Sequence, residues 1–203
     1  MTITDISRNL AVGMLAAGLL IGCGGGDPEA KQQMTASGVS EAAAGELSGM
    51  KLTPEEVQSI AEAKKGGLDD ASLVQMVKSL HNRELRFDLG LTLQILAQQG
   101  VGATVLTQLV EMGALPAWGD DIRALKEKGV GEVTIVELAK LRFQEKKELL
   151  SGGEYGGLKT FGISDAGILS FARNGGTPQQ LHRLREELAM GKPEQEAFQT
   201  IGM

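Results

Sequence analysis

Pro54, Pro116 and Pro178 stand 62 residues apart, and they are three of the five prolines in this 203-residue chain. Gly113 and Gly175 repeat the same interval. A finer series runs inside it. Gly67-Leu68, Gly100-Val101, Gly129-Val130 and Gly162-Ile163 each join a glycine to an apolar residue, at glycine intervals of 33, 29 and 33, and Gly191 adds a further 29. Five residues beyond each apolar residue stands Leu73, Leu106, Ile135 or Ile168, and eight beyond it stands Met76, Leu109, Leu138 or Phe171. Four residues before each glycine stands Ala63, Leu96, Leu125 or Leu158. Self-similarity at a fixed interval marks a repeat architecture, in which each unit buries its apolar face only against its neighbours.

The chemistry within one interval is helical. Thr53-Pro54-Glu55-Glu56 has the form of a capping box with proline at the first helical position. Val57, Ile60, Ala61 and Ala63 follow mostly on one face, and Lys64-Lys65 lies where cations meet a helix C-terminus favourably. Gly66-Gly67 stops that helix, and Asp69 and Asp70 can cap the next, which carries Leu73, Val74, Met76, Val77 and Leu80. This is one αα-hairpin. Thr177-Pro178-Gln179-Gln180 repeats the capping box. The expected fold is therefore all-α, with tandem αα-hairpins in two 62-residue four-helix units, 53–114 and 115–176, and a partial third, 177–203. Both an open solenoid and a compact bundle satisfy the pattern. A valine at the turn residue Gly129 is expected to destabilise the fold, and one at Gly38, outside the repeat, is not.

The N-terminus has a different texture. A short polar start carrying Arg8 leads into the run Leu10–Gly22, thirteen small or apolar residues. That run is too short for a bilayer span of about 20 residues, and it suits the apolar region of a secretory signal. It ends in Leu20-Ile21-Gly22-Cys23, which resembles the lipobox of bacterial lipoproteins. The resemblance implies cleavage between Gly22 and Cys23, lipid attachment at Cys23, and a place in the bacterial cell envelope. Position 24 is Gly rather than Asp, which by the same analogy favours the outer membrane in a cell with two membranes. Cys23 is the only cysteine, so no disulfide competes for its thiol. Gly24–Met50 holds scattered large apolar residues and reads as a flexible tether with a reach of about 25–30 Å, within which Ala42–Leu47 can form a transient helical turn. The expected domains are a signal peptide over 1–22, the lipidated Cys23 with its linker over 23–50, and the helical-repeat domain over 51–203.

Charge and composition exclude several functions. Lys plus Arg number 20 against 26 Asp plus Glu, a net charge of -6, which argues against nucleic acid. Aromatics make up 3% of the residues, too few for base or sugar platforms. The two histidines, His81 and His182, lack partners at metal-ligand spacing and read as solvated or capping. Glu55-Glu56, Asp69-Asp70, Asp120-Asp121 and Glu186-Glu187 are adjacent carboxylates, explained first by helix capping and second as acid–base pairs. Ser151–Thr160 resembles a phosphate loop only superficially, because Leu158 separates Gly157 from Lys159; it reads as a flexible connection. Phe87, Phe143 and Phe161 read as core. Trp118, the only tryptophan, reads as a packed residue or, alternatively, as an anchor for a partner.

No catalytic residues, metal site or cofactor signature emerge. The expected function is a non-catalytic binding or assembly module, attached to a membrane by its lipid and engaging a protein of the envelope. An envelope enzyme acting on glycan or lipid, and a small-ligand carrier with a pocket between the two units, are the alternatives. A cleft of convergent carboxylates would favour the enzyme, a deep apolar cavity the carrier, and a continuous groove or flat apolar patch the docking module.

Overall fold

A computed structural model describes residues 26–203. The described residues form twelve α-helices and no strand. They are α1 (Pro28–Ala36), α2 (Glu41–Ser48), α3 (Pro54–Lys65), α4 (Asp70–His81), α5 (Gly90–Gln98) and α6 (Ala103–Glu111). The chain continues through α7 (Gly119–Glu127), α8 (Glu132–Ala139, widening into a π-helical turn over Lys140–Gln144), α9 (Gly152–Thr160), α10 (Asp165–Arg173), α11 (Pro178–Ala189) and α12 (Glu194–Thr200). Successive helices pair as six antiparallel hairpins. Odd-numbered helices pack on odd-numbered neighbours and even on even, which builds two layers. The principal contacts join adjacent hairpins, so the architecture is solenoid-like, with one apolar core running from Ala30 to Ile201.

The first hairpin overturns the expected tether. Residues 28–36 and 41–48 are helical, capped by Asp27, whose carboxylate accepts from the Glu29 and Ala30 N–H groups, and by Ser40, which accepts from Ala43. Met34, Ala44 and Leu47 are fully buried, and Val39 nearly so. Gly38 completes the glycine series, 29 residues before Gly67. It shares with Gly67, Gly100, Gly129, Gly162 and Gly191 a positive φ of 77–95°. In this left-handed turn the following residue's N–H donates back into the first helix, as Val101 does to the Leu96 carbonyl and Val130 to that of Leu125, each at 3.0 Å. Gly129→Val and Gly38→Val are therefore both expected to destabilise, each by about 1–2 kcal/mol through the left-handed backbone. Thermal melts of both variants check this, and an unchanged midpoint for Gly38→Val would return the first hairpin to a tether.

The 62-residue interval governs the backbone even where residue types differ. Lys51 has positive φ, as do Gly113 and Gly175 at the matching positions, and Glu84 and Lys146 form a second such pair. Pro54 and Pro178 open α3 and α11 behind complete capping boxes. Pro116 does not open α7. Leu115 and Trp118 stand where Thr53 and Glu56 supply the box in the first unit, so the reciprocal side-chain bonds cannot form and α7 starts at Gly119.

Two glycines hold the odd layer together. The N–H of Gly90 donates to Ser59 Oγ at 2.6 Å, and that of Gly152, 62 residues on, donates to Asp121 Oδ1 at 2.6 Å. A Cβ on either would run into the backbone carbonyl of Ser59 or Asp121. The α3–α5 and α7–α9 pairs are thus in backbone-to-backbone contact. Farther along the same seam the two units solve one packing problem in opposite ways. Gly66 faces Gln94 in the first unit, where a Cβ would lie 2.7 Å from the Gln94 Cα. In the second, Lys128 faces Gly156, where a Cβ would lie 2.9 Å from Lys128 Cγ. Ser151–Thr160 is accordingly no flexible connection. It is a second-unit capping box, Ser151 with Glu154, opening a helix whose glycines admit its neighbour.

Candidate functional site

Gly22 and Cys23, the expected cleavage and lipidation residues, lie outside the described residues, as does the signal segment 1–22. Among the described residues no helix is long and apolar enough to cross a membrane. None of their His, Cys, Asp and Glu side chains gather as a group of three or more able to hold a metal ion.

Trp118 is 1% exposed, its ring edge-on to Phe143 at a centroid distance of 6.0 Å. Burial removes it as a partner anchor. Its position explains why it is there. Glu56 and His81 occupy the same two places, 62 residues earlier, in the first unit. Glu56 is 3% exposed. Its carboxylate accepts from the Thr53 N–H at 2.9 Å and the Phe87 N–H at 3.0 Å, and lies 2.9 Å from His81 Nε2. The first unit therefore fills this site with a polar hub and the second with an aromatic pair. Burial raises the Glu56 carboxyl, but the Thr53 and Phe87 N–H groups and His81 outweigh it and hold the group below the usual glutamate value. His81 is thus neither solvated nor a cap. His182 does remain exposed, 3.3 Å from Glu186 one turn away. Phe161 also departs from expectation: it is 44% exposed, with the Arg185 guanidinium 5.9 Å from its ring centre.

The adjacent carboxylates diverge. Asp69 caps α4, while Asp70 pairs with Lys64 at 2.7 Å. Asp120 pairs with Arg123, while Asp121 receives the Gly152 N–H. Glu186 meets His182, and Glu187 meets Lys192. Four acidic groups instead form a ladder along the edge of the glycine turns. The N–H of Ser40 donates to Asp70, that of Gly102 to Glu132, that of Gly131 to Asp165 and that of Ser164 to Glu194. Each carboxylate thereby satisfies the free N-cap amide of the hairpin before it. Lys64, Lys126 and Lys159 neutralise the first three rungs. At Asp70 and Glu132 the lysine is the main cause of a lowered carboxyl; at Asp165 burial opposes the shift but Lys159 and the Gly131 N–H outweigh it.

Three clefts open on the even layer. A cleft of about 720 Å³ lies between α4 and α6, lined by Ala71, Val74, Gln75, Lys78, Ser79, Asn82, Arg83 and Glu111. A second, of about 290 Å³, continues from Glu111 between α6 and α8, lined by Gln108, Met112, Val136, Lys140 and Gln144. A third, of about 460 Å³, lies between α10 and α12 among Ala166, Ser170, Gln195, Phe198 and Gln199. Val133, 78% exposed, stands on α8 between them. The charged residues here are already engaged. Lys78 pairs with Glu46, Glu111 receives the Gln75 amide at 2.7 Å, and Arg83 donates to the Val110 and Glu111 carbonyls at the end of α6. Glu137 bridges Lys140 and Arg173 and closes the α8–α10 gap. What remains to meet a partner is amide and small apolar surface.

No family model matches the chain, and none of the curated proteins matches it significantly.

Proposed function

We propose that this is an exported, lipid-anchored helical-repeat protein that serves as a non-catalytic docking module at the bacterial cell envelope. The run Leu10–Gly22 and the lipobox-like Leu20-Ile21-Gly22-Cys23 support the anchor, and the even-layer face supports docking. The observation that carries the reading is the set of open clefts between α4 and α6, α6 and α8, and α10 and α12, whose charges are already spent within the chain. Such a surface suits a protein segment rich in amides and small apolar side chains, not an anion or a nucleic acid. Divergence of the carboxylate pairs favours docking over glycan hydrolysis, and the openness of the clefts favours it over an enclosed carrier pocket.

Site-specific photocrosslinking in intact envelopes tests it. A photoreactive residue at Val74 or Val133 should yield one discrete crosslinked protein, and one at Glu62 on the opposite layer should not. Equal crosslinking from both layers would remove the face assignment. Reproducible glycan or lipid hydrolysis, lost on a single carboxylate-to-amide change, would replace the docking reading with the enzyme.

A further inference from the structure

Gly26 and Asp27 are held against the end of α2. Asp27 caps α1, and its N–H donates to the Ser48 carbonyl at the end of α2 at 3.3 Å. Gly26 is pressed onto the same helix end, where a Cβ would lie 3.1 Å from the Ser48 carbonyl carbon and 3.2 Å from the Gly49 nitrogen. The chain is therefore pinned to the body at Gly26, on the side of the hairpin away from the Gly38 turn. Cys23 precedes Gly26 by three residues. Even fully extended, three residues span at most about 11 Å. Acyl chains on Cys23 would lie in the hydrocarbon, which places that backbone in the headgroup layer, about 5–8 Å thick on each side of the bilayer.

We infer that the first hairpin, α1–α2, is the membrane-facing pole of the array and rests on the headgroup layer that holds the lipid of Cys23. The inference depends on the proposed lipid anchor. Its occupant is the bilayer surface itself. The outward side of α1 can meet that layer through the exposed amides of Gln32 and Gln33, while Ala30 and Met34 turn into the core. The body then has no long leash. Its first hairpin stays at the surface, and the later hairpins carry the clefts at a height set by the stack.

The test uses the full-length, membrane-extracted protein in vesicles carrying headgroup-linked acceptor dyes. An acylated Cys23 leaves no other thiol in the chain, so Gln32→Cys on α1 and Arg183→Cys on α11 each accept one donor dye. Energy transfer should be stronger from position 32 than from position 183. Inserting 20 Gly/Ser residues between Gly25 and Gly26 adds a root-mean-square reach of about 25 Å and should weaken transfer from position 32 about threefold. Transfer from position 32 that is unchanged by the insertion, in a chain that carries a fatty-acid label and floats with the vesicles, would overturn the polar placement alone. A chain that carries no label and does not float would overturn the anchor and this inference with it.

Discussion

Gly90→Ala should lower the thermal midpoint by roughly 10 °C, from a loss of about 3 kcal/mol at about 2–4 °C per kcal/mol for a chain of this size. The new methyl would strike the backbone of Ser59, a part of α3 that has no rotamer to yield. Helix α5 would have to withdraw, which also stretches the Gly90 N–H bond to Ser59 Oγ. Gly152→Ala, its counterpart against Asp121, should cost as much. Gly153→Ala is the control, because its Cβ would meet only Ser151 Oγ, at 4.0 Å, and alanine is the better helix former. Calorimetry of the three variants, with amide exchange to locate the loosened helices, checks this. Equal midpoints for Gly90→Ala and Gly153→Ala would show that the helices are not in backbone contact.

Glu56→Ala should cost about 3 kcal/mol or more, since it leaves the Thr53 and Phe87 N–H groups and His81 around an emptied site. The acid limb of the stability curve should change with it. Glu56 titrates below its ordinary 4.5 in the folded chain, so it contributes stability that is complete above the unfolded value and is lost as pH falls through the folded one. Glu56→Gln removes the titration and should flatten that part of the curve. Denaturant melts between neutral pH and pH 3 measure it. An acid slope identical in the wild type and Glu56→Gln would show that the hub does not hold Glu56 charged.

Most of the fold was legible because its signals are local. Capping boxes at Thr53 and Thr177, turn glycines and apolar spacing each act within one hairpin, and the hairpins from α3 onward follow them. The first hairpin was missed because its sequence is rich in alanine and glycine: Ala30, Ala43 and Ala44 are buried, and Ala44 falls where the later hairpins place Leu73, Leu106, Ile135 and Ile168. Composition there resembles a linker, although the interval from Gly38 to Gly67 and the apolar positions Met34, Val39, Ala44 and Leu47 all keep the repeat. The glycines of α9 misled in the same manner: they signify a close neighbour, which a single helix's sequence does not display. Trp118 and the Glu56–His81 hub lie at matching positions, yet one is aromatic and the other charged, so type alone concealed their equivalence. The even-layer face was the least legible part. Its clefts open between helices about 30 residues apart in the chain, and the separation of those helices is a tertiary property that α4, which supplies most of the first cleft's lining, does not display.

The opposed solutions at Gly66–Gln94 and Lys128–Gly156 bear on how such a chain changes over evolutionary time. Exchange α5 with α9, and Lys128 meets Gln94 in an overfilled seam while Gly66 faces Gly156 across a hollow one. Parts that look alike are consequently not interchangeable. Recombination between the halves is tolerated only where it carries both partners of a seam together, so the heritable module is the four-helix block rather than the hairpin.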